Sequence, residues 1–329
     1  MLNRRRFLQG AGLLSLGASL PALGTPVLPG ATPKLLFGYP AGSIGSELAQ
    51  GCLAILGARA NAPYLLECID SRNSRAASEQ VRNGPTDGSM LLQTQSTSMV
   101  LLPSVYRDLG YDPLKDFAPV TALGELTYSL TVGPMVPAHV TRVEHYLEWL
   151  RSNPDLRDMG YSMHGSQGHL ATLMLAKAKS VALTARPYRG AAMLLKDLND
   201  GNLAAAFTAA GNGNSELWSS GRLRSLGVAS TERLPYWPTV PTMAEQGLPE
   251  INLRAWYAWY APMATARPVL DDLRRKAHVM TASPEFAPLL ARLRMQPLQM
   301  SPEQILERTR EELQRYAALT HELNIRPLD

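Results

Sequence analysis

The first regular pattern in the chain is an apolar run from Leu35 to Tyr39, followed by Leu48, Cys52, Leu53 and Leu56 at three- and four-residue spacing. A continuous apolar run predicts a buried strand, and the helical period predicts an amphipathic helix. The strand signal returns at Tyr64 to Ile69, Met90 to Gln93, Met159 to Met163, Leu183 to Pro187, Ala204 to Thr208 and Leu226 to Ala229, each near a helical stretch. This alternation predicts an α/β architecture with a mainly parallel sheet flanked by helices. Three capping boxes mark helix starts: Thr141 with Glu144, Thr242 with Glu245, and Ser301 with Gln304, the last with Pro302 at the first helical position. The long apolar strand Leu253 to Ala261 comes after the second set of strand-helix units, and helices Pro268 to Ala282 and Pro302 to about Leu323 follow it. That order suits a chain that leaves one lobe, builds a second and returns. Within Leu253 to Ala261, alternation puts one pair of the aromatics Trp256, Tyr257, Trp259 and Tyr260 on each face, as core packing would require.

The N-terminus changes the picture. Arg4-Arg5-Arg6-Phe7-Leu8-Gln9, followed by the weakly apolar Gly10 to Gly24, matches a twin-arginine export signal. The run is about 15 residues, short of the roughly 20 that span a bilayer, and it ends in the small residues Ala22-Leu23-Gly24. Residues 1–24 are therefore expected to be removed on export, leaving a periplasmic chain large enough for two compact lobes. Removing Arg4, Arg5 and Arg6 takes the formal charge from +4 to about +1. The charges elsewhere are interspersed along helices, which argues against nucleic acid as a partner. For Cys52 and Cys68, pairing in an oxidising compartment and separate burial are both open.

Candidate chemistry lies in four loops that join a strand to a helix: Tyr39-Pro40-Ala41-Gly42-Ser43-Ile44-Gly45-Ser46, Thr94-Gln95-Ser96-Thr97-Ser98, Ser162 to Gly168, and Arg186-Pro187-Tyr188-Arg189-Gly190. In α/β folds such loops gather at the carboxyl edge of the sheet, where ligands bind. Glycine permits close backbone approach, and free N–H groups at helix starts favour an anion. His164-Gly165-Ser166-Gln167-Gly168 resembles a nucleophile elbow, with His164 in place of the first glycine. A serine hydrolase around Ser166 is the enzymatic alternative. No metal-ligand spacing is present, so neither a metal nor a cofactor is expected.

Several blocks carry a family resemblance: Tyr39-Pro40-Ala41-Gly42; Tyr111-Asp112-Pro113-Leu114-Lys115-Asp116-Phe117; Pro187-Tyr188-Arg189-Gly190; Val240-Pro241-Thr242-Met243-Ala244-Glu245-Gln246-Gly247; and Trp256-Tyr257-Ala258. In this order the chain resembles the solute receptors of tripartite tricarboxylate transporters, the Bug proteins, over nearly its whole mature length. The resemblance implies a two-lobed, type II-like periplasmic binding protein fold, non-enzymatic and monomeric, that captures a small carboxylate. The implied lobes are residues 34–131 with 253–329, and residues 132–252. The implied partner is a membrane permease or a sensor kinase, and a degenerate receptor used for protein contacts is the second alternative. Ligand contacts carried over by resemblance are Ala41, Gly42, Ser43, Ser96 and Ser98, with His164, Gly165, Ser166 and the neighbourhood of Thr208 from the second lobe. The loops add Tyr39, Ser46, Thr97 and Tyr188, and the strand before Thr208 adds Phe207. The chain departs from the family pattern in having Ser43 and Ser46 for a glycine and an aspartate, Thr208 for an aspartate, and Asp70-Ser71-Arg72-Asn73-Ser74-Arg75 for a glycine-rich block. Arg72 and Arg75 near the cleft would favour an unaminated anion.

Overall fold

A computed structural model describes residues 32–210 and 215–329; the export segment, residues 1–24, lies outside them. In chain order the elements are β1 (Lys34–Phe37), α1 (Ile44–Ala60), β2 (Leu65–Cys68), α2 (Arg75–Arg82), β3 (Met90–Gln95), α3 (Ser96–Val100), α4 (Leu102–Val105) and β4 (Phe117–Val132). There follow α5 (Val143–Ser152), β5 (Asp158–Tyr161), α6 (Gln167–Ala178), β6 (Thr184–Pro187), α7 (Ala191–Asp200), β7 (Ala205–Ala209), α8 (Ser215–Ser219) and β8 (Arg224–Val228). The chain closes with β9 (Arg254–Pro262), α9 (Arg267–Thr281), α10 (Phe286–Arg292), β10 (Gln296–Pro297) and α11 (Pro302–Glu322). Every strand read from the apolar pattern is present, with ends moved by no more than two residues.

The strands form one mixed sheet in the order β2-β1-β3-β9-β4-β7-β5-β6, with β8 and β10 also pairing with β4. Its two flanks are parallel: β1 pairs in parallel with β2 and β3, and β5 with β6 and β7. Its centre is antiparallel, because β9 returns between β3 and β4. The 16-residue β4 is the axis of the molecule. Its first part, Phe117 to Thr127, pairs with β9, and its last part, Tyr128 to Val132, pairs with β7. One strand thus changes partners between Thr127 and Tyr128. Nothing in the apolar pattern separated β4 as a strand, because all but one of its residues are buried and no alternation survives. Pro119 is tolerated next to a register shift in the β4–β9 ladder, and its carbonyl accepts two bonds from Arg274.

Helices cover the sheet. The sheet side of α1 buries Leu48, Cys52, Leu53 and Leu56, and the helix packs against α9 and α10. On α11, Ile305, Thr309, Tyr316 and Thr320 are buried, and the helix packs on α3, α4 and β4. The Ser301 box forms as expected, with Ser301 Oγ accepting from Gln304 N at 3.2 Å and Gln304 Oε1 from Ser301 N at 2.8 Å. Thr242 and Glu245 also cap each other, but they begin only a single tight turn ending at Gly247. The Thr141 box does not form. Arg142 is the N-cap of α5, and the free Val143 N–H is taken by Gln246 Oε1 at 2.9 Å from a distant segment. Both cysteines are free thiols. The aromatics of β9 divide between the faces: Trp256 Nε1 donates to Glu312 on α11, whereas Trp259 Nε1 donates to Gln93.

Candidate functional site

A cleft of about 710 Å³ opens at the strand ends, and each of the four loops contributes to its wall. The first wall is the turn into α1. Tyr39, Ala41, Gly42 and Ser43 line it, Gly42 in the left-handed region at φ +79°. Ser43 caps α1, its hydroxyl accepting from Ser46 N at 3.4 Å and donating to the Pro40 carbonyl at 2.8 Å. Ala41 and Gly42 are exposed at the positive end of a 17-residue helix. Ser46 is fully buried inside that helix and donates to the Ser43 carbonyl, so it does not reach the wall.

The second wall comes from Ser162, Met163 and Ser166. Ser166 caps α6, with its hydroxyl accepting from His169 N at 3.3 Å. The third wall is the start of α7, where Arg189, Gly190, Ala191 and Ala192 lead into Leu194, Leu195 and Lys196. Gly190 adopts φ +92° and donates its N–H to the Ser162 carbonyl at 3.0 Å, which ties this wall to the second. Lys196 is paired with Asp200. Arg189 is exposed and makes no ion pair or hydrogen bond with any described residue.

The floor is the sheet itself: Phe37, Gln95, Leu126, Tyr128, Thr208 and Tyr257. Gln95 Nε2 donates to the Tyr257 hydroxyl at 3.2 Å. Thr208 Oγ1 lies 2.8 Å from Thr131 Oγ1. Burial pushes the Tyr39, Tyr128 and Tyr257 phenols above their ordinary range, so all three remain neutral hydrogen-bond donors near neutral pH.

The structure separates the expected residues into two groups. Tyr39, Ala41, Gly42, Ser43, Ser166 and Thr208 line the cleft, and the others lie behind it. The three hydroxyls of α3 are turned inward because that short helix is wholly buried. Ser96 accepts from Trp256 N at 3.2 Å, Thr97 sits 2.8 and 2.7 Å from the side-chain oxygens of Gln95 and Gln167, and Ser98 bridges Tyr39 and Ser74 at 2.9 and 2.6 Å. Gly165 faces α4, where an added Cβ would fall 2.7 Å from Val105 Cγ2. His164 packs on His169 and offers its carbonyl to Asn73 at 3.3 Å. Tyr188 turns outward to Asp197 at 2.9 Å, and Phe207 is a core residue.

Arg72 and Arg75 are likewise not cleft residues. Arg72 pairs with Glu79 at 2.6 Å, and Arg75 donates to the Asp108 carbonyl at 3.0 Å and covers the Tyr106 ring at 3.8 Å. The cations of the cleft are Arg189 and Lys196 instead. The site residues expected from the sequence did not include the floor residues Tyr128 and Tyr257, nor Gln95, although its loop was a candidate. Tyr257 was legible from the alternation in its strand, which sets it opposite Trp256; Tyr128 was not, because its strand showed no pattern.

Behind the second wall, His169 is stacked on Tyr161 at 4.3 Å. Burial, with a smaller push from His164, lowers its pKa to about 4. Ser166 and His169 therefore meet through a helix cap, hydroxyl to backbone N–H, and not through a base poised on a nucleophile. Among the described residues no three His, Cys, Asp or Glu side chains converge as a metal site, and no helix is long and apolar enough to cross a membrane.

Comparison with known proteins gives a consistent result. The family model for the "Tripartite tricarboxylate transporter family receptor" matches residues 64–325. Protein BugT of Bordetella pertussis is 24% identical over 323 residues, covering 98% of each chain. An R. palustris protein solved with adipate superposes with a TM-score of 0.84 at 26% identity, over 91% of this chain and 99% of its own. The periplasmic binding protein BugD superposes with a TM-score of 0.82 at 22% identity, over 92% of this chain and 100% of its own.

Proposed function

The chain belongs to the tripartite tricarboxylate transporter receptor family and is a periplasmic solute-binding receptor, and from this premise we propose that it captures a small dicarboxylate-like anion in the cleft at the strand ends. The observation that carries the reading is the meeting of two helix starts on one cleft. Ala41-Gly42-Ser43 at α1 and Arg189-Gly190-Ala191 at α7 both line it, and each start supplies free N–H groups and a positive dipole end. The apolar residues between them suit a carbon chain. Adipate, the ligand of the R. palustris relative, has this shape, with two charged ends and an apolar middle.

In this reading residues 34–131 and 253–329 form one lobe and residues 132–252 the other. The partner change of β4 between Thr127 and Tyr128, together with the start of β9 at Arg254, supports a hinge of two crossing segments. The anion first meets one lobe, and closure adds donors from the other. The closed form is then recognised by a permease or a sensor. Export uses the twin-arginine route through Arg4 and Arg5; changing both to lysine leaves precursor in the cytoplasm, and unchanged periplasmic yield would assign export to the general secretory route.

The direct test is a thermal-shift screen of the mature protein against mono-, di- and tricarboxylates, aromatic acids and amino acids. A ligand at 100 times its dissociation constant stabilises by about 2.7 kcal/mol. Stabilisation by dicarboxylates is expected, and none by any compound in the screen would identify a receptor retained for protein contacts.

A further inference from the structure

The short segment from Ser162 to Gln167 has two faces. Ser162, Met163 and Ser166 line the cleft, while His164, Gly165 and Gln167 meet residues far away in the chain. Gly165, at φ +66°, lies so close to α4 that an added Cβ would fall 2.7 and 2.8 Å from the two Val105 methyls. Gln167 Oε1 accepts from the Thr97 hydroxyl of α3 at 2.7 Å, and the His164 carbonyl accepts from Asn73 Nδ2 at 3.3 Å. All three partners belong to the part of the chain before residue 131.

Asn73 sits in an unusual piece of backbone. Arg72, Asn73 and Ser74 adopt φ of +52°, +56° and +67°, three consecutive left-handed residues without a glycine among them. Each is strained, and such a turn persists only where its surroundings over-determine it. Here Ser74 Oγ lies 2.6 Å from Ser98 Oγ, Arg75 Nε donates to the Arg72 carbonyl at 3.1 Å, and Asn73 Nδ2 reaches the Tyr106 hydroxyl at 3.2 Å as well as His164. The effect of the turn is to aim the Asn73 amide at the His164 backbone. The contact is polar: Asn73 Oδ1 and His164 Nε2 are both buried without a hydrogen-bond partner among the described residues. Separation would hydrate both atoms, so this contact releases more readily than an apolar core does. Resting on the two-lobe reading above, we propose that Asn73 and Gly165 form a clasp between the lobes. It limits how far they part and, because the same segment carries the second wall, ties the position of Ser166 to closure without touching the ligand.

The test is small-angle scattering of the mature protein and its variants without added ligand. Gly165→Ala drives a methyl into Val105 and is expected to raise the radius of gyration by about 1 Å over the roughly 19 Å of a compact chain this long. Combining it with Val105→Ala is expected to reverse most of that increase, because the two methyls are gone, whereas strain confined to the Gly165 backbone would remain. Asn73→Gly keeps the left-handed turn with less strain and loses only the amide. It is expected to expand the protein as well, with a melting temperature within about 2 °C of wild type. A curve superimposable on wild type from either Gly165→Ala or Asn73→Gly overturns the clasp, as does an expansion in Gly165→Ala that Val105→Ala fails to reverse. If Gly165→Ala does not fold, the Asn73→Gly curve decides. Adipate and malate, added in turn to wild type as probes, test the underlying reading separately. Failure of both to bind and compact it overturns the capture of a dicarboxylate by closing lobes, while the variants without ligand still decide the clasp.

Discussion

Gly42 combines two requirements at one position. Its φ of +79° lies where an L-residue is strained, and an added Cβ would meet nothing within 4 Å, so the strain comes from the backbone and not from a clash. Gly42→Asp therefore costs the fold about 1 kcal/mol, partly offset by the favourable placement of a carboxylate at the start of α1. The melting temperature of the empty protein should fall by no more than about 2 °C. Binding, in contrast, should weaken at least tenfold, about 1.4 kcal/mol, because the new charge would occupy the place proposed for the anion. Undiminished binding of the best carboxylate would move the anion off this loop. His169 gives a pH signature. Its pKa is about 4 in the fold, below the ordinary histidine value near 6.5, so between those two values the unfolded chain binds the proton more readily. Stability is complete above pH 6.5 and is lost as the pH falls through the folded value. His169→Phe keeps a ring on Tyr161 and cannot titrate. It should be less stable at pH 7, where Gly165 N loses its acceptor at 3.4 Å, but its melting temperature should decline less than that of wild type from pH 6.5 to 4. Parallel curves would show that His169 does not carry this pH dependence.

At the scale of elements, α11 shows how local and long-range forces divide the work. Its start is specified locally by Ser301 and Gln304, and Ser301→Ala should cost about 1 kcal/mol. Its docking is specified by charges from three elements. Arg308 reaches Glu125 on β4 at 3.3 Å and Glu312 on its own helix at 2.7 Å, and Glu312 also accepts from Trp256 Nε1 on β9 at 3.0 Å. The Glu125 side chain is 7% exposed. Arg308→Met would leave this buried acid with Arg254 alone, and the expected loss is about 3 kcal/mol. Denaturant midpoints for the two variants should thus differ clearly, with Arg308→Met the lower. If Arg308→Met were as stable as wild type, the ion network would contribute nothing to holding α11. The contrast explains what could be read in advance: the cap at Ser301 needs only neighbours in sequence, whereas the expected box at Thr141 lost to Gln246, about a hundred residues away, which supplies the acceptor for Val143 N instead.

For the whole molecule, the proposal that the cleft opens and closes rests on β4, which changes partners from β9 to β7 between Thr127 and Tyr128. A bending point there would let two cores turn without either unfolding. Small-angle scattering should give a smaller radius of gyration with saturating ligand than without, and superimposable curves would indicate a rigid receptor. The amino-acid sequence by itself determined the α/β alternation, the flanking parallel strands, the long final helix and the loops that supply the cleft, because each of these follows from local period, capping chemistry or loop composition. It also determined the family, through the Tyr111 to Phe117 and Val240 to Gly247 blocks. Only the tertiary structure decided which residues of those loops face the cleft. The hydroxyls of Ser96, Thr97 and Ser98 look equivalent to Ser43 and Ser166 in sequence, but close packing turned the first three toward Trp256, Gln167 and Tyr39 and left the other two at the wall. Tyr128 and Tyr257 reached the floor by the reverse route, since their strands meet only when β9 returns to the centre of the sheet and such a long-range pairing leaves no mark in local sequence.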